Sequence, residues 1–250
     1  MRIIKLNVID STHNFALRIL DKNKEPQECA IIARCQTNGI GRCNRQWISQ
    51  EGNLFTSIIK KISPEVDVGK ISLTVACAVR ETIAHFIGDS QDLTLHWPND
   101  VYYRNLKISG ILMAVVENWM VISVGINIQH APDNFSATCI RNVLPHSNRE
   151  LLSATPIKVF HLLNTSIDKW LIVLEKLNFS CIRSYWLRNI NEFKCNVVLR
   201  NGNESISGLF YDLDECGRLI LERNGEYFAI SSGDLFLNQE GILVDNEKKT

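Results

Sequence analysis

The chain has 250 residues, 45% of them hydrophobic, with 13 glycines and 6 prolines; this supports one large or two modest globular domains and excludes a low-complexity chain. Lysine plus arginine and aspartate plus glutamate each number 27, so the formal net charge is zero, and the basic excess that draws proteins onto phosphate backbones is missing. No secretory pattern opens MRIIKLNVIDST, and the most apolar region, 108–128, is broken by Glu117 and Asn118 into runs too short to span a bilayer. Neither nucleic acid nor membrane is therefore an expected partner, and a cytoplasmic protein is expected.

In chain order, the β-branched run 2–9 predicts a strand. Asp10, Ser11 or Thr12 then caps a short helix through Phe15, Ala16, Ile19 and Leu20. Strands are expected over 29–35 and 53–60, separated by a loop over 36–52, long enough to mark a functional segment. Val68, Ile71, Val75, Val79, Ile83 and Phe86 fall at helical spacing within 67–87. Strands of one mixed or antiparallel sheet follow at 93–97, 107–116 and 119–126, with turns at Pro98 and Asn105. A helix over 157–174 carries Phe160, Leu163, Ile167, Trp170 and Leu174 on one face, and another through Tyr185 and Trp186 ends near Asn189. From Phe193 the pattern changes to short strands at 195–200, 204–211, 218–222 and 226–230 with glycine-containing turns between them, as in a small barrel. Eight cysteines without a C-x-x-C pair or a histidine at zinc spacing are expected to be mostly buried thiols.

Three segments carry candidate chemistry. In QTNGIGRCNRQWISQEGNL, Gly39 and Gly41 permit close backbone approach, Arg42 and Arg45 bring planar donors suited to phosphate or carboxylate, and Trp47 offers a stacking face. Alone, this is also what a solvated glycine turn with surface arginines looks like. HWPNDVYYRNLKISGIL is more specific, setting Trp97-Pro98-Asn99-Asp100 ahead of Lys107 and Gly110. In VGIN, Gly125 allows close approach and Asn127 presents both a donor and an acceptor.

With the Asp10-Ser11-Thr12 start, these segments resemble the biotin protein ligase family in order and over nearly the whole chain. The resemblance implies an α+β fold: a mixed-sheet catalytic domain of the biotin/lipoate ligase type over 1–192, and an SH3-like β domain over 193–250. It implies ATP-dependent formation of biotinyl-5′-adenylate, then transfer of biotin to a lysine of a biotin carboxyl carrier protein domain. Lys107 and Arg42 match the catalytic positions. Ser11, Thr12, His13, Gln36, Gly39, Ile40, Gly41, Arg42, Lys107 and Gly110 match the biotin site. Arg42, Arg45, Trp47, Asn99, Asp100, Lys107 and Asn127 match the ATP or adenylate site, with Asp100 a candidate Mg²⁺ ligand. The implied partners are biotin, ATP and the carrier domain, with a homodimer left open.

The chain departs from the family pattern at several positions. Ile40 replaces an arginine and Asn44 a glycine of the family's Gly-Arg-Gly-Arg-Arg-Gly-Arg loop, while His13, His96 and Ala114 replace a frequent Asn, Lys and Glu. If the missing arginine made a charge-assisted hydrogen bond, about 1.5–3 kcal/mol of affinity goes with it. Three alternatives remain beside the ligase: a lipoate or octanoate ligase or transferase, a biotin binder without turnover, and a biotin-sensing repressor. For the last, a catalytic segment beginning within ten residues of Met1 means that no helix-turn-helix is expected.

Overall fold

A computed structural model describes residues 1–23, 25–63, 67–133, 135–144, 154–202 and 204–238. Strand β1 (Arg2–Ile9) leads to Ser11, whose extended backbone and Oγ, accepting from the Asn14 N–H, cap helix α1 (Thr12–Lys22). Strand β2 (Cys29–Gln36) returns parallel to β1, making α1 the crossover of a βαβ unit. After β3 (Leu54–Lys61), Asp67 caps α2 (Val68–Ile87) by accepting from the Gly69 and Lys70 N–H groups. Strands β4 (Leu93–His96), β5 (Asp100–Tyr103), β6 (Leu106–Val116) and β7 (Trp119–Ile126) complete a seven-stranded sheet in the order β1-β2-β3-β7-β6-β5-β4, antiparallel except between β1 and β2. Helices α3 (Ile140–Val143), α4 (Pro156–Leu177) and α5 (Phe179–Arg188) follow.

The sheet is covered on both faces. On one, Ala16 and Leu20 of α1 pack on Cys29, Ile31, Ile59 and Val121. On the other, the alternate residues Ala30, Ile32, Leu54, Ile58, Met120, Ile122 and Val124 join the larger core. Their partners include Val75 and Val79 of α2 and Phe160, Leu163 and Ile167 of α4. Burial on both faces is why β2, β3 and β7 read as continuous apolar runs rather than as alternating strands.

Five further strands, β8 (Asn196–Asn201), β9 (Glu204–Leu213), β10 (Leu219–Arg223), β11 (Glu226–Ile230) and β12 (Asp234–Leu237), form an antiparallel sheet in the order β11-β10-β9-β8-β12. Its inward residues Val197, Leu199, Phe210, Leu219, Leu221 and Leu235 join the same buried cluster as α2 and α5. Trp97 Nε1 donates to Gly217 O at 3.2 Å, and Arg183 pairs with Asp212, tying the second sheet to the end of β4 and to α5.

The structure corrects several expectations. Strand β5 is not among the expected strands, because its four residues sit between turn-forming Pro98 and Asn105; pairing with both β4 and β6 makes them a strand. Strand β12 lies beyond the last expected strand and is held by β8. The loop expected over 36–52 is folded back on itself, with Ile40 and Gln46 bridged. All eight cysteines are free, but Cys29, Cys77 and Cys139 alone are buried, so most are not. Among the described residues no helix is long and apolar enough to cross a membrane.

Candidate active site

A cavity of about 890 Å³ lies where the 37–49 loop, the N-terminus of α1, the β6–β7 hairpin and β12 converge. The loop closes through Trp47 N–H to Gly39 O and Gly41 N–H to Arg45 O, both 2.8 Å. Its tip is a 3-10 turn, Arg42–Asn44, in which Cys43 and Asn44 both have left-handed backbone, with φ of 53° and 55°. Asparagine adopts this conformation more readily than most residues, so replacement of the family glycine by Asn44 is accommodated; nothing in the sequence announces the same conformation at Cys43.

One end of the cavity is polar and buried. Gln36 Oε1 accepts from Thr12 N at 2.8 Å and from Thr12 Oγ1 at 3.1 Å. Ser57 Oγ lies 2.9 Å from Thr12 Oγ1 and 2.8 Å from Ser123 Oγ, which is 2.8 Å from His13 Nδ1. Gln36 Nε2 donates to Ser49 Oγ at 2.9 Å, joining this network to the loop. Burial lowers the pKa of His13 below the ordinary imidazole value, which keeps the ring neutral at pH 7.

The other end carries the charges. Lys107 Nζ pairs with Asp100 Oδ2, and Asp100 Oδ1 is buried without a partner among the described residues. Arg42 Nη1 donates to Asn99 Oδ1 at 3.0 Å and reaches Gly233 O at 3.5 Å, while Arg45 Nη2 meets Asp234 Oδ1 at 2.7 Å. Asn99 Nδ2 is committed to Ile111 O at 2.6 Å, so Asn99 holds Arg42 in place. Between the two ends lies Trp47, on a floor made by the cross-strand pair Gly110 and Gly125. A methyl group would lie 2.9 Å from the indole at Gly110 and 2.6 Å at Gly125, so only glycine lets the ring settle there. Lys107 Nζ stands 5.6 Å from the centre of the same ring.

Beneath the charged end, His96 Nδ1 meets Glu192 Oε1 at 2.6 Å and its ring lies against Tyr102. Burial works against a charge on His96, but the hydrogen bond to Glu192 and the Glu192 and Asp100 carboxylates outweigh it and raise its pKa.

Ser11, Thr12, His13, Gln36, Ile40, Gly41, Arg42, Arg45, Trp47, Asn99, Asp100, Lys107, Gly110 and Asn127 all line this one cavity. Gly39 does not; it packs against Trp47 O and the Ser49 and Gln36 side chains. Asn127 Nδ2 donates to Thr138 O, which shapes the wall. Sequence reasoning misses Ser57 and Ser123, though serines inside otherwise apolar strands are a signal. It also misses Glu192, the 135–137 segment and Asp234 as part of the cavity wall. Asn53, whose Oδ1 accepts from the N–H groups of Ile128, Gln129 and His130, orders the turn after β7. No three His, Cys, Asp or Glu side chains gather as a metal site among the described residues. The unpartnered Asp100 Oδ1 fits the role of a single carboxylate toward Mg²⁺, an ion usually held by few protein carboxylates.

Residues 6–129 match the model of the biotin/lipoate A/B protein ligase family, and residues 195–237 match that of the biotin protein ligase C-terminal domain. A biotin–[acetyl-CoA-carboxylase] ligase of Paracoccus denitrificans is 25% identical over 216 residues, covering 82% of this chain and 89% of the relative. The protein of the same name from Mycobacterium tuberculosis is 28% identical over 214 residues, covering 82% and 77%. The fold matches that of a biotin protein ligase from Aquifex aeolicus in complex with biotin and ATP, with a TM-score of 0.78 at 24% identity over 94% of this chain and 98% of that one. The chain belongs to the biotin/lipoate A/B protein ligase family and carries the C-terminal domain of its biotin protein ligases.

Proposed function

We propose that this protein is an ATP-dependent biotin protein ligase that forms biotinyl-5′-AMP and passes biotin to a lysine of a carboxyl carrier protein domain. The observation that carries the reading is that Lys107 lines one cavity together with a buried polar slot and a basic loop. In the first step a biotin carboxylate oxygen bonds to the α-phosphorus and the bond to the β-phosphate oxygen breaks, releasing pyrophosphate. Two unit charges about 4 Å apart repel by roughly 4 kcal/mol at an effective dielectric near 20. The Lys107 ammonium offsets that repulsion, exchanging Asp100 for the two incoming anions. Arg42, braced by Asn99, holds the adenylate, and Arg45 faces the phosphates after releasing Asp234. In the second step the carrier amine attacks the acyl carbon, AMP leaves and the amine loses a proton.

Ser11, Thr12 and Gln36 bind the ureido ring, with His13 beside them in the biotin site, and Trp47 and Asn127 serve the adenine. Asp100 would hold Mg²⁺, which supplies neutralisation of phosphate charge when bound. Residues 1–192 form the catalytic unit and 193–238 the β domain, the expected bound at 250 lying outside the described residues. Eight free thiols suit a reducing compartment, supporting a cytoplasmic location.

Incubation with biotin, ATP, Mg²⁺ and a carrier domain should label one carrier lysine, and Lys107→Ala should reduce pyrophosphate release by at least about 100-fold. An unlabelled carrier with folded wild-type protein overturns the reading, and labelling by lipoate in place of biotin reassigns the substrate.

A further inference from the structure

The buried network beneath α1 has a direction that follows from counting protons. The Thr12 N–H donates to Gln36 Oε1, which identifies that atom as the amide oxygen. An amide oxygen carries no hydrogen, so the Thr12 hydroxyl must donate to it. Thr12 Oγ1, its hydrogen used, accepts from Ser57 Oγ. Ser57 in turn accepts from Ser123, and Ser123 accepts from His13 Nδ1. One hydrogen per hydroxyl thus carries the polarity from Gln36 to the imidazole and places a proton on Nδ1.

The neutral ring has that hydrogen alone, which leaves Nε2 as an acceptor. Nε2 has no hydrogen bond among the described residues, and His13 lines the cavity. Ser11, whose Oγ accepts the Asn14 N–H, keeps its own hydrogen as a donor on the same wall. An acceptor beside a donor matches a cyclic urea, which offers N–H groups beside a carbonyl.

We infer that His13 Nε2 accepts one N–H of the ureido ring and is a specificity-determining residue of this slot. The inference rests on the biotin reading above and names the atom that reads the ring. A dithiolane has no N–H and would leave the acceptor unpaired, the kind of loss by which a polar site rejects an analogue. The groups facing His13 across the network, Gln36 from β2, Ser57 from β3 and Ser123 from β7, are uncharged. Asp10 and Arg18 at this end of α1 are paired with each other at 2.7 Å, and Asp100, Lys107, Arg42 and Arg45 belong to the other end of the cavity.

Protonation turns Nε2 into a donor facing a donor. In calorimetric titrations with biotin from about pH 8.5 downward, affinity should fall by up to about tenfold per pH unit, with binding releasing about one proton, once the pH passes below the folded value of His13, which burial holds under the ordinary imidazole value. His13→Asn, whose Oδ1 also accepts, should bind with a flat profile. His13→Phe should bind roughly tenfold more weakly at the alkaline end. A biotin analogue with one ureido N–H replaced by a ring oxygen should lose affinity for wild type and far less for His13→Phe. A wild type that binds both such ring-oxygen analogues as tightly as biotin overturns the inference while leaving the ligase reading intact, even if the phenylalanine variant does not fold. Absence of biotin binding by wild type at every pH overturns both.

Discussion

Gly125 shows how a single missing side chain sets the site. Its α-carbon supports the indole of Trp47, and a methyl group there would meet three atoms of that ring within 2.8 Å. The strand itself tolerates alanine, so Gly125→Ala should fold while displacing Trp47. Misplacement by about 1 Å in a reacting assembly costs on the order of 100-fold. Adenylate formation, followed by pyrophosphate release, should therefore fall by about 10- to 100-fold with little change in melting temperature. The glycine is legible in VGIN as a position of close approach, but its partner is not, because Trp47 reaches it from a loop that precedes β3. Ser57 and Ser123 are hidden for a related reason: each becomes polar wiring only once β3 and β7 are paired.

At the scale of elements, periodicity carries the helices well. Phe160, Leu163 and Ile167 of α4 are buried as their spacing predicts, and Trp170 and Leu174 pack partly buried against the same core. Leu163 is fully buried, so Leu163→Ala should cost about 2–5 kcal/mol in denaturant unfolding and leave biotin affinity unchanged. Equal loss of stability and affinity would show that α4 supports the slot directly. The folded-back loop is less legible. Its closure depends on backbone hydrogen bonds between Gly39, Gly41, Arg45 and Trp47, which no side-chain pattern announces.

For the molecule as a whole, His96 stands where the two sheets meet, bonded to Glu192 and within reach of the Leu235 backbone of β12. Its raised pKa contributes stability that is fully present below the unfolded value near 6.5 and is lost as pH rises through the folded value. His13 has the opposite sign: its lowered pKa costs nothing well above 6.5 and disfavours the fold as pH falls below it. Melting curves across pH should therefore show His96→Gln most destabilised relative to wild type on the acid side and closest to it on the alkaline side. A constant difference across pH would assign His96 a packing role only. The His96–Glu192 contact is not legible in sequence, since 96 positions separate the partners and neither belongs to a motif that names the other.

The shared core has a mechanical consequence. Leu199, Phe210 and Leu221 of the second sheet lie in one continuous apolar cluster with α2 and the central strands. Loosening either part exposes the surface of the other, so the β domain and the cavity wall it supplies are cooperative with the rest of the chain. Damage far from the reacting atoms, in a hairpin that touches no ligand, is thereby transmitted to the pocket as a change in how often the whole wall is in place.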